Sequence, residues 1–144
     1  MSKEEKKPKA APSSLAELVS RAEVQDVSFL ELHGTRAEAE DSDAADADDS
    51  SPHMHVWYRS GEGHIGVRCR LDLRTSEARL VADAAAEFSV DGPLPQDDQL
   101  KEAFTERVGV AVVYPYLRDA VQHLAQKLDI DVPVLSLIAH KLSV

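Results

Sequence analysis

Apolar and polar positions alternate most regularly in the middle of the chain. "HMHVWYR" and "HIGVRCRLDLR", either side of "SGEG", read as two strands joined by a hairpin turn. A four-residue turn at Ser60–Gly63 pairs Arg59 with His64 and sets Tyr58 on Ile65, Val56 on Val67 and Met54 on Cys69. Apolar then meets apolar at each step, which fixes a register. In this register Trp57 lies over Gly66, His55 faces Arg68 and His53 faces Arg70. A second hairpin near "TSEA" pairs Leu73 with Leu80, Leu71 with Ala82, Cys69 with Ala84, Val67 with Ala86 and Ile65 with Phe88. The opposite face pairs Arg70 with Asp83 and Gly66 with Glu87. The result is a sheet with one apolar and one charged face. Its small residues Ala82, Ala84 and Ala86 leave room for a closely packed helix.

The flanks use other periods. "SLAE", Ser14–Glu17, is a capping box, followed by Leu15, Leu18, Val19 and Ala22 at helical spacing, so a short helix is predicted. Val24–His33 is β-like but apolar on both faces, with Val27 and Phe29 on one and Leu30 and Leu32 on the other. A strand covered on both sides reads this way. After the loop "DGPLPQDDQ", with Asp97 as N-cap, Leu100, Phe104, Val108 and Ala111 form a helical stripe. Pro115 removes a backbone donor and predicts a kink or break. Leu117, Val121, Leu124 and Leu128 then form a stripe opposite Arg118, Gln122 and Lys127. "DIDVPVLSLI" is extended and apolar.

Length and charge narrow the reading. The 144 residues suit one domain, predicted over 13–144, after a disordered, charged N-terminus at 1–12. A disordered loop at 37–51 holds seven acids between Glu38 and Asp49 and no base. A formal charge of −10 argues against nucleic-acid binding, which needs a basic face. The N-terminus has no apolar run and reads as no signal peptide. The uncharged run Val108–Leu117 is shorter than the roughly 20 residues that span a bilayer, so no membrane partner is expected. The single cysteine, Cys69, fits a reducing compartment, and we expect a cytoplasmic protein.

Candidate chemistry is sparse. His53 and His55 share one side of a strand and could hold a metal with a third ligand, but arginines face them in the expected register. They read as surface histidines, and a histidine-rich metal-binding β protein is the alternative from another class. Cys69 falls on the apolar face, as a small hydrophobe rather than a nucleophile. No Ser-His-Asp spacing, phosphate loop or close carboxylate pair is present, so neither an enzyme nor a cofactor is expected. What remains is more apolar surface than two helical segments can hide. It suits a homodimer interface or a surface for partner or unfolded peptides.

A family resemblance joins these features. "DVSF" in the first strand, "FSV" at the end of the fourth, "YPYLRDAV" in a helix and "VPVLSL" beyond it resemble the SecB-like export chaperones. The match of Pro115, Tyr116 and Arg118 to a Pro-Tyr-x-Arg signature is its specific part, and it spans roughly residues 24–138. The actinobacterial-looking composition and the N-terminal helix are similar to the SecB-like chaperones of toxin–antitoxin systems.

The resemblance implies an α+β fold: a four-stranded antiparallel sheet with one face covered by a long, proline-kinked helix. It implies a homotetramer, a dimer of dimers, with Val110, Val113, Tyr114, Leu117 and Val121 at the oligomer interface. It implies ATP-independent holding of unfolded or extended polypeptide, with client contacts at Leu30, Leu32, Trp57, Val134, Leu135, Leu137 and Ile138. Two departures shape the expectation. The family docks its SecA motor on an acidic outer face, with an acid four residues after the Asp of the first strand. Here Asp26 is followed by Leu30, and Arg68, Arg70, Arg74 and Arg79 share that face, so weak SecA docking is expected. The final helix is cut short after "LIAHKLSV", which suits a shallower groove or one client. A dedicated client such as an antitoxin is favoured over general protein transport.

Overall fold

A computed structural model describes residues 10–37, 52–131 and 135. Most of the predicted N-terminal tail and all of the acidic loop except Ala37 lie outside them, as do Val134, Leu137 and Ile138. Of the tail, residues 10–12 are described, and Pro12 is buried.

Helix α1, Leu15–Arg21, begins at Ser14, whose hydroxyl accepts from the Glu17 N–H at 3.1 Å. The Glu17 carboxylate accepts from the Ser13 N–H and hydroxyl, one residue earlier than a strict capping box. These bonds, with Arg21 at 2.6 Å, hold its pKa below the ordinary value. The helix buries Leu18 in the core.

Four strands follow: β1 (Ala22–Arg36), β2 (His53–Gly61), β3 (His64–Arg74) and β4 (Ala78–Val90). They form one antiparallel sheet in the order β1-β4-β3-β2. The β3–β4 register is the expected one at each of the seven pairs above. The β2–β3 register differs by two residues. Gly63, at φ 72°, closes a two-residue turn, so Gly61 pairs with His64, Val56 with Cys69 and Tyr58 with Val67. A shift of two keeps every side chain on its face, because the strand period is two. It changes each neighbour: Trp57 pairs with Arg68, Arg59 with Gly66, His55 with Arg70 and His53 with Asp72.

β1 departs further from expectation. Register shifts between Val24 and Asp26 and between Phe29 and Glu31 make Gln25 and Leu30 extra residues in two bulges. Val24, Val27, Phe29 and Leu32 therefore stand opposite Phe88, Ala86, Ala84 and Ala82, all on the helix side. The strand is apolar on one face and interrupted twice, rather than covered on both.

Helix α2, Asp98–Phe104, starts at Asp97, whose carboxylate accepts from the Gln99 N–H at 2.9 Å. A π-helical turn, Thr105–Gly109, joins it to α3, Val110–Lys127. The turn adds a residue, so the buried stripe rotates from Phe104 to Gly109, Val110, Val113, Tyr114 and Leu117, leaving Ala111 exposed. α3 then runs unbroken through Pro115. Pro115 and Ala111 are both exposed, so water can serve the Ala111 carbonyl that a proline leaves unbonded.

α3 packs on β4, β3 and one end of β1. The core gathers the inner sheet residues, Phe104 and the α3 stripe, with Phe88 and Phe104 edge to face at 5.1 Å. This is the α+β architecture expected from the sequence.

Candidate functional site

Two surfaces stand out. The first is the outer sheet face. Arg68 forks onto Asp83, Nε at 3.0 Å and Nη2 at 2.7 Å, while Arg70 donates to Asp83 at 3.2 Å and to Glu31. Arg79 forks onto Asp72 at 3.3 and 2.9 Å, which holds the Asp72 carboxyl below its ordinary pKa. Arg59 reaches across Gly66 to Glu87 at 2.7 Å, and a β-carbon on Gly66 would lie 2.9 Å from that carboxylate. The arginines read as a basic face in the sequence are thus threaded with acids from β4, β1 and β3. Trp57 is 47% exposed, with the Arg68 guanidinium 5.2 Å from its ring centre and His55 stacked at 5.9 Å. The Gly66 platform expected under Trp57 carries the Arg59–Glu87 pair instead.

The second surface is the helix-side strip of β1. Val24, Phe29 and Leu32 are exposed there, because α3 covers only part of this edge strand. Leu30, in the bulge, is exposed as well.

The remaining sequence-predicted residues divide by burial. Val110, Val113, Tyr114, Leu117 and Val121 are all buried against the chain's own sheet. The exposed face of α3 carries Ala111, Pro115, Tyr116 and Asp119. Leu135 is buried with the core rather than open to a client. Cys69 is buried, and burial first and Asp83 second push its thiol up to about 12, so it stays protonated. Among the described residues no three His, Cys, Asp or Glu side chains converge as metal ligands.

Phe29, Val24 and the Arg68–Asp83 pair were missed as surface features. The signal was the spacing. Apolar residues at 24, 27, 29 and 32 with acids at 26 and 31 fit no single two-residue period, which is the mark of bulges.

No family model matches the chain. The chain is 34% identical over 122 residues to the SecB-like chaperone SmegB of Mycolicibacterium smegmatis, covering 85% of this chain and 79% of that protein. It belongs to the SecB-like chaperone family. Two solved structures share its fold. The Mycobacterium tuberculosis SecB-like chaperone Rv1957, solved with a ChAD peptide from the Rv1956 HigA1 antitoxin, superposes with a TM-score of 0.66 at 20% identity, over 86% of this chain and 92% of that one. A Streptococcus agalactiae protein of unknown function superposes at 0.57 and 9% identity, over 80% of this chain and 96% of that one.

Within this SecB-like frame the bulge at Leu30 acquires meaning. Leu30 holds the sequence position where the resemblance implied a second acid. The bulge sets Glu31 opposite Asp83, so an acid stands on the outer face after all. It accepts from Arg70, which tempers its charge. Among the described residues no helix is long and apolar enough to cross a membrane.

Proposed function

We propose that this SecB-like chain holds unfolded or extended polypeptide without nucleotide, for a dedicated client such as an antitoxin, in the cytoplasm. The observation that carries the reading is the exposure of a large apolar side chain at each open sheet edge that the seam between copies does not use: Leu30 on β1 and Trp57 on β2. A passive holder needs such surface and edge main chain for strand addition, and it needs no catalytic set. The family relative solved with an antitoxin peptide supports the choice of client class.

In this reading the β1 strip of Val24, Phe29 and Leu32, with the free α3 face around Tyr116, is the seam of a dimer of dimers. Leu30 and Trp57 stay with the client, together with the extension residues Val134, Leu137 and Ile138. Delivery of preproteins to the SecA motor is the second reading, and Glu31 on the outer face favours it. The interleaved arginines weigh against it.

The test has two arms. The chain is added to a chemically unfolded, aggregating protein, and suppression of light scattering is expected at near-equimolar ratio. Calorimetry with the SecA motor is expected to show weak binding or none. A tight, salt-sensitive complex would restore the export reading, and no suppression of aggregation would end both.

A further inference from the structure

The two open sheet edges differ in order and in charge. β1 is broken by two bulges, while β2 pairs with β3 in unbroken register from His53 to Gly61. β2 has no strand on its other side among the described residues, so its outward main-chain groups keep the regular spacing of a template. No acid lies on β2, whose outer row is His53, His55, Trp57 and Arg59.

The ion pairs behind that row are asymmetric. The Asp83 side chain is 0% exposed and that of its partner Arg68 is 48% exposed. Glu87 is 32% exposed and Arg59 is 76% exposed. In each pair the carboxylate is the more buried end and the guanidinium faces water. Arg68 gives Nε and Nη2 to Asp83, and Arg59 gives Nη2 to Glu87, and both side chains remain open to solvent. A guanidinium has five donors, enough for a second carboxylate.

Resting on the holding function above, we propose that the β2 edge selects extended client segments in which a carboxylate lies two residues from a large apolar side chain. In an extended chain residues i and i+2 share a face. With the client main chain paired to β2, the apolar side chain stands beside Trp57 and the carboxylate beside Arg59, with Arg68 completing the cationic rim. Charge complementarity names the occupant: this edge is the cationic, aromatic one in a chain of formal charge −10. Asp83 is a positioning residue that holds the Arg68 plane against Trp57.

The test uses the full chain and fluorescein-labelled 13-residue peptides carrying Leu-x-Glu repeats, with Leu-x-Gln and Leu-x-Lys versions as controls. Anisotropy is expected to show the Glu peptide binding about tenfold tighter than the Gln peptide, the scale of one charge-assisted contact, and losing that margin in high salt. Arg59→Gln is expected to erase most of the preference. Arg68→Lys, which keeps the charge but loses the fork and the stack, is expected to weaken binding of the Glu peptide several-fold. Trp57 emission reports occupancy directly, and hydrogen exchange should slow on β2 amides and not on β1. Equal affinity for the three peptides, protection confined to β1, or variants that bind like wild type would overturn the proposal. If the wild type suppresses aggregation while showing no acidic preference, the inference fails and the holding function stands. If it neither suppresses aggregation nor binds any peptide, the holding function itself fails.

Discussion

A β-carbon built on Gly109 would lie 2.5 Å from Val67 Cγ2 and 2.8 Å from Cγ1. Val67 is fully buried on β3, is stiff about χ1 and has no flexible tip to swing aside. Gly109 therefore lets the π-helical turn sit directly on the sheet. Glycine costs a helix roughly 1 kcal/mol relative to alanine, so on propensity alone Gly109→Ala would stabilise. The overpacking penalty, about 1–3 kcal/mol, is the larger effect at this distance. Gly109→Ala is thus expected to lower stability by up to about 2 kcal/mol in denaturant titrations. Adding Val67→Ala to it should cost less than the sum of the two single changes, because the smaller side chain makes the room the new methyl needs. An additive double mutant would mean that the close approach is not what constrains this position. In the sequence Gly109 was one more position of the uncharged run Val108–Leu117, since a neighbour across the core leaves no local trace.

The elements show where pattern reading works and where it stops. In β3 and β4 the apolar alternation is uninterrupted, and the turn closed by the Thr75 N–H on the Ala78 carbonyl at 2.8 Å selects the register that sets Ile65, Val67, Cys69, Leu71 and Leu73 on Phe88, Ala86, Ala84, Ala82 and Leu80. In the first hairpin two registers satisfy the same alternation, and the turn geometry of Gly63 decides between them. β1 defeats a single period because Gln25 and Leu30 are inserted into it. The π-helical turn does the same to the helical stripe, which is why Ala111 is exposed and Val113 buried. The bulges give a direct test. Deleting Leu30 leaves Phe29 and Glu31 adjacent and alternating, so helix-side and outer residues keep their faces. The variant is expected to fold with less than about 1 kcal/mol of loss, the scale of a surface change. Deleting Leu32 slips the strand beyond it by one and turns His33 toward the helix side. That variant should lose about 2 kcal/mol or more, read as a lowered thermal midpoint by circular dichroism. Similar losses in both would mean that the register is set elsewhere.

At the scale of the whole molecule, the fold class and the family were legible from strand order and the Pro-Tyr-x-Arg segment, but the split between core and surface was not. The apolar, proline-bearing helix looked like core cover and oligomer seam at once. The structure gives its apolar stripe to the core, with Val113 and Leu117 fully buried, and turns Pro115 and Tyr116 outward. Val24, Phe29, Leu30 and Leu32 are exposed instead on β1, where sequence alternation was hardest to read. This separates two substitutions that would look equivalent on the sequence. Val113→Asp places a carboxylate in a dry core with no cation to meet it, at a cost of about 4 kcal/mol or more, and is expected to unfold the chain. Phe29→Asp changes a side chain that is 42% exposed in the single chain, so the protomer should keep its circular dichroism. If the β1 strip is the seam between copies, the same substitution desolvates a charge in that seam and should reduce the assembly to smaller species. Light scattering on the wild type, Phe29→Asp and Tyr116→Asp at micromolar concentration checks this beside the spectra. A wild type that is monomeric, or a Phe29→Asp variant that stays assembled, would take the seam off β1, and an unfolded Phe29→Asp would mean that the strip belongs to the core of the single chain.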